Sequence, residues 1–118
     1  SKGAVGSVLW MAPELFKWGG KYSKLTDIYA LGIVLFELSS RKLPFQNEDN
    51  ANNDTVKDWV KDGERDTIPA DTPPKFSQLI TACWAQRAKD RPESAERVAE
   101  LLQEADAPCS SGFAFLSK

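Results

Sequence analysis

Between Ser23 and Ser39 the chain reads SKLTDIYALGIVLFELS, and from Ile28 onward apolar residues take almost every position. A run of that length without a polar stripe predicts a helix buried nearly all round, with other elements packed on all sides. A buried strand is the rival, since Ile33, Val34 and Phe36 favour one. The length of the run and a capping residue at its start, Thr26 or Asp27, favour helix.

Three shorter blocks have amphipathic helical spacing. In DTVKDWVKDG, Val56, Trp59 and Val60 recur between a candidate cap at Asp54 and the terminating Gly63. In TPPKFSQLITACW, Thr72 is a candidate cap and Pro73 suits the first helical position. There Phe76, Leu79, Ile80, Cys83 and Trp84 make one apolar face. In SAERVAELLQEA, Ser94 is placed to cap, and Ala95, Val98, Leu101, Leu102 and Ala105 line up. With strands scarce, the expected fold is mainly α, built around a buried central helix. The connector Arg41 to Asp54 is polar and asparagine-rich, a surface loop anchored by Pro44 and Phe45. WGGK, residues 18–21, reads as a turn. From Asp106 onward periodicity is lost, so 106–118 is expected to be a tail outside the core, on which Phe113, Phe115 and Leu116 can dock.

Composition changes this picture mainly by exclusion. At 118 residues the chain has the length of one domain, and 42% apolar with 27% charged residues is a globular balance. Net charge is −2 and the basic residues are scattered, which argues against nucleic acid and against an anionic membrane surface. No run is long enough to span a bilayer. Two cysteines, Cys83 within an amphipathic pattern and Cys109, do not make a disulfide framework, and a reducing, cytoplasmic setting is expected. The chain has no histidine. That removes Ser/His/Asp and Cys/His nucleophilic sites and makes a zinc site atypical. No metal site is expected.

Several unusual pieces occur in one order: Ala12-Pro13-Glu14, then Asp27-Ile28-Tyr29-Ala30-Leu31-Gly32, then Leu43-Pro44-Phe45, then Cys83-Trp84 followed by Asp90-Arg91-Pro92. That order resembles the large, C-terminal lobe of a eukaryotic-type protein kinase, from the end of the activation segment through the last helices. The resemblance covers about Gly6 to Leu102, and residues 1–105 are taken as a partial kinase domain. An isolated A-P-E is weak, whereas four landmarks in register are specific.

The resemblance implies a role for each landmark. Glu14 pairs with Arg91 and ties the activation segment to the final helices; taken alone, the two read as separate surface charges. Asp27 supports the catalytic loop by accepting its backbone N–H groups, and also suits a plain helix cap. Trp84 is a core aromatic. Ser7, Val8, Leu9 and Trp10 form the floor for a substrate peptide. A serine at position 7, where tyrosine kinases carry proline, and no basic residue at Leu9 favour serine/threonine specificity. The tryptophan in WMAPE resembles the tyrosine-kinase-like branch, the Raf-like and receptor-interacting serine/threonine kinases.

Phosphoryl transfer in such kinases uses a glycine-rich loop, a strand lysine, a catalytic-loop aspartate with its asparagine, and the D-F-G aspartate, with ATP and Mg²⁺. None of these motifs is in the chain. It is therefore expected to be part of a longer kinase, to hold no catalytic residue, and to be inactive alone. Without the helix and catalytic loop that cover the central helix in the family, Ile28, Leu31 or Leu35 is expected to border exposed apolar surface. A weakly stable or self-associating fragment follows. Partners implied are a protein substrate and a protein docked on an exposed surface around Val56 and Trp59. The alternatives are a pseudokinase or interaction module, and an unrelated helical binding domain in which Glu14 and Arg91 would not meet.

Overall fold

The computed structural model describes residues 7–46 and 48–106; the expectations for the tail, including Phe113, Phe115 and Leu116, lie outside them. Two short 3-10 turns, Ser7–Trp10 and Pro13–Phe16, lead into helix α1, Lys24–Ser40. Helices α2, Asn53–Lys61, and α3, Pro74–Cys83, follow, then a third 3-10 turn, Ala88–Asp90, and helix α4, Ala95–Asp106. No strand occurs among the described residues.

Helix α1 begins one turn before Asp27. The Ser23 hydroxyl accepts the Leu25 and Thr26 backbone N–H groups, while the Thr26 hydroxyl accepts the Ser23 N–H. This reciprocal box satisfies donors at both ends of the first turn. Ser23 is thus the cap, Thr26 its partner three residues on, and Asp27 a first-turn acid facing the positive end of the helix dipole. At the other end Arg41 adopts a left-handed φ of 60° and donates its N–H to Glu37 O. The same correction applies to α2, whose cap is Asn52 in a box with Thr55, not Asp54. In α3 the capping position is Pro73 and Pro74 opens the helix; the Thr72 hydroxyl instead bonds that of Ser39 at 2.6 Å. Ser94 caps α4 as its sequence suggests, accepting the Arg97 N–H.

The core forms where α1 crosses α3. Ile28, Tyr29, Ile33, Leu35 and Phe36 from α1 meet Phe76, Leu79, Ile80 and Cys83 from α3, and Phe36 packs on Trp84 with ring centroids 5.5 Å apart. Gly32 permits the close crossing: a Cβ there would lie 2.7 Å from Cys83 Cβ. Helix α4 covers the far side of α3 with Val98 and Ala105 buried and Leu101 and Leu102 partly so, but Ala95 is exposed. In the connector, Pro44 is buried and Phe45 packs on Trp59 at 5.2 Å.

The central helix is not covered all round. Ile28 and Leu35 are buried and Leu31 is half-buried, while Val34 (42% exposed) and Leu38 (68%) face solvent. The uncovered strip therefore lies in the C-terminal half of α1.

Candidate functional site

The two 3-10 turns and the start of α1 lie against α2 and the Arg91 segment. Ser7 is exposed at the head of the first turn. Val8 and Leu9 follow with only 9% and 6% of their surface exposed and belong to the core. Trp10 is half-buried, and its indole N–H donates to Glu37 Oε1 on α1 at 2.8 Å. The turn is thereby fastened to the central helix through a polar contact as well as an apolar one.

Pro13 suits the start of the second turn, and the next residue, Glu14, is the polar centre of the region. Arg91 Nη1 donates to Glu14 Oε2 and Nη2 to Oε1, both at 2.8 Å, the two parallel bonds a planar guanidinium can give a carboxylate. Arg91 also donates from Nε to Ala85 O and from Nη1 to Leu25 O, each at 2.9 Å. The Thr26 hydroxyl donates to Glu14 Oε2 at 3.1 Å. Partial burial raises the Glu14 pKa. The Arg91 hydrogen bonds and charge, a backbone N–H and the Thr26 hydroxyl outweigh it, leaving the carboxyl below its ordinary value.

Two guanidiniums face the buried Tyr29 ring, Arg65 with Cζ 5.2 Å and Arg91 with Cζ 5.3 Å from its centroid. Arg65 donates to the carbonyls of Trp84, Val60 and Glu64 and to Gln86 Oε1, and burial lowers its pKa. Sequence reasoning missed this residue. An arginine between Glu64 and Asp66 in a connector has the look of a solvated charge, and no periodic signal marks it.

Asp27 is exposed and its carboxylate meets no partner among the described residues. The expected partner surface at Val56 and Trp59 is corrected: Val56 is fully buried, and Trp59 is half-buried beneath Phe45. Both lie on the apolar face by which α2 joins the core. The residues α2 turns outward are Asp54, Lys57, Asp58 and Lys61, which rim a cleft of about 520 Å³ floored by Val8, Met11, Leu15 and Phe16.

Among the described residues there is no cluster able to hold a metal ion, and no helix is long and apolar enough to cross a membrane. Burial pushes the Cys83 thiol up to about 11, so it is not a nucleophile at neutral pH.

A family model described as "Protein tyrosine and serine/threonine kinase" matches residues 1–101. The chain belongs to that kinase family. Among curated kinases, a LIM domain-containing serine/threonine-protein kinase of Dictyostelium discoideum is 46% identical over 92 residues, 78% of this chain and 14% of the relative. Mitogen-activated protein kinase kinase kinase 7 of Drosophila melanogaster is 44% identical over 87 residues, 74% and 12% of the two chains. Serine/threonine/tyrosine-protein kinase HT1 of Arabidopsis thaliana is 36% identical over 101 residues, 86% and 25%. The chain thus spans a quarter or less of these kinases, and its helical build is that of part of a kinase C-terminal lobe.

Proposed function

We propose that this chain is the substrate-docking part of a serine/threonine protein kinase of the tyrosine-kinase-like branch, with residues 1–105 in the kinase domain and 106–118 a tail. The protein containing it transfers the γ-phosphate of ATP to hydroxyl groups of protein substrates, in a cytoplasmic setting. The family match over residues 1–101 carries this reading, together with serine/threonine-protein kinases among the relatives. ATP and Mg²⁺ belong to the family's chemistry. The residues of this chain do not fit them, since it has none of the motifs that grip nucleotide and metal.

The chain's own contribution is geometry. Ser7, Val8, Leu9 and Trp10 form the substrate floor, with Ser7 exposed and Trp10 half-buried beside the two buried residues. Glu14 and Arg91 hold that floor against the third 3-10 turn and the start of α1. Asp27 supports a catalytic loop, a role for which an exposed and unengaged carboxylate at the head of α1 is suited.

The test is phosphate transfer by the whole kinase domain containing this chain, with labelled ATP, Mg²⁺ and a protein mixture, followed by phosphoamino-acid analysis. Phosphoserine and phosphothreonine are expected. Phosphotyrosine alone would overturn the specificity, and no transfer with a folded domain would favour a pseudokinase. Asp27→Asn is expected to lower transfer at least about tenfold while leaving the melting temperature within a few degrees.

A further inference from the structure

Residues 17–24 read Lys-Trp-Gly-Gly-Lys-Tyr-Ser-Lys, three lysines and two aromatics with no acid among them. All three lysines are exposed, and none forms an ion pair among the described residues. Trp18 is wholly in water, at 102% relative exposure, and Tyr22 is 71% exposed. The backbone beneath them is anchored. The Gly20 N–H donates to Lys17 O at 2.9 Å, and Gly19 has φ +80°, as the third position of a type II turn requires. Trp18 is the corner of that turn. A Cβ on Gly20 would lie 1.7 Å from Glu14 O, so the turn sits directly on the backbone of the residue that Arg91 grips. Three residues after Gly20, Ser23 opens α1. An indole displayed from a turn held at both ends has the character of an interface anchor, where tryptophan and tyrosine carry much of the binding energy.

A matching recess exists on the same molecule. Leu9, Leu43, Pro44, Phe45 and Ala51 line an apolar cavity of about 180 Å³ with Glu48 at its rim. That is below the roughly 300–1,000 Å³ of drug-sized ligand sites and of the order of one large side chain. Phe45 holds a left-handed φ of 56°, an unfavourable conformation for a bulky residue, and its ring is braced on Trp59. At the rim and beyond it, exposed Glu48 and Glu64 flank Phe45 and Trp59.

We propose that Trp18 of one copy of this chain docks in the Leu43–Phe45 cavity of a second copy, with Lys17, Lys21 and Lys24 against Glu48 and Glu64 at and beyond its rim. Size, polarity and charge agree on the two sides. An anionic bilayer is the lesser match: with three positive charges in the loop, a net −2 leaves −5 on the rest of the chain, which such a surface repels. The contact is heterologous, turn into cavity, and so can repeat head to tail. Its area is that of the weak, transient class, and its charge component falls with salt. The proposal does not depend on phosphate transfer.

Sedimentation velocity over a concentration series tests it with the wild-type chain, Trp18→Ala, Leu43→Lys and an equal mixture of the two variants. Both substituted side chains are exposed, so folding is preserved, and thermal melts check this. The wild type is expected to associate with rising concentration and to dissociate at high salt. Each variant alone should associate at least about tenfold more weakly. The mixture joins one intact turn to one intact cavity, so it should recover dimers and nothing larger. A wild type that stays monomeric, a Trp18→Ala chain that associates like wild type, or a mixture of folded variants that stays monomeric would each overturn the proposal. So would binding to phosphatidylserine vesicles, lost in Trp18→Ala, without self-association, which would make the loop a lipid contact.

Discussion

The Arg91 side chain has no surface in water, so its charge must be met inside the protein, and acceptors from Glu14, Leu25 and Ala85 meet it. Removing the carboxylate leaves that charge buried with only carbonyls around it. Glu14→Gln is therefore expected to destabilise the chain by about 3 kcal/mol, the lower end for a broken buried pair, because Glu14 keeps 24% of its side chain exposed. The pair also sets a pH dependence. The folded pKa of Glu14 lies below its ordinary value of 4.5, so the stabilisation is complete above that value and is lost as pH falls through the lower folded pKa. Urea melts between pH 7 and pH 3 should show wild-type stability falling more steeply than that of Glu14→Gln; parallel curves would mean that the pair is not coupled to folding. Cys83 gives a second check at this scale. Buried at the α1–α3 crossing with its thiol pushed up to about 11, it should resist alkylation until the chain unfolds, as read from the modified peptide by mass spectrometry.

At the scale of elements, the decisive contact is α1 on α3 through Gly32. Alanine there would gain roughly 1 kcal/mol of helix propensity. Its Cβ, however, would lie 2.7 Å from Cys83 Cβ and 3.2 Å from Trp84 N, forcing the helices apart. Overpacking of this kind costs about 1–3 kcal/mol, so Gly32→Ala is expected to lower the denaturation midpoint despite the better helix former. A raised midpoint would show that the crossing can yield freely. The faces of α3 and α4 were legible because period alone marks Phe76, Leu79, Ile80, Cys83 and Val98. Helix starts were less so. Several polar residues cluster before α1 and α2, and only the reciprocal bonds of Ser23 with Thr26 and Asn52 with Thr55 distinguish the cap from its neighbours. Val56 was misplaced for a different reason: an amphipathic pattern says which residues share a face, not whether that face meets a partner or the protein's own core. Glu14 and Arg91 stand 77 positions apart with nothing in local sequence to join them, and only family register put them forward. Arg65 had neither signal.

At the scale of the molecule, Val34 and Leu38 form an uncovered apolar strip on the helix around which everything else is built, with half-buried Leu31 on the same side. They are spaced four residues apart, so a single neighbouring element could cover both. Exposed strips of this kind in a small core mark surface that associates or is covered. The chain spans 14% and 12% of two of its curated relatives, so the same helix has two settings, the chain alone and the whole kinase domain. The double substitution Val34→Lys, Leu38→Lys should act with opposite sign in the two. In the isolated chain both sites are solvated, so stability should change by no more than about 0.5 kcal/mol per site. Binding of a hydrophobic dye and salt-insensitive aggregation should fall. If the rest of a kinase domain packs on the strip, the same two lysines must bury charge there, and the yield of folded domain and its melting temperature should drop sharply. Equal tolerance in both settings would mean that α1 carries a solvent-facing strip in the complete protein too.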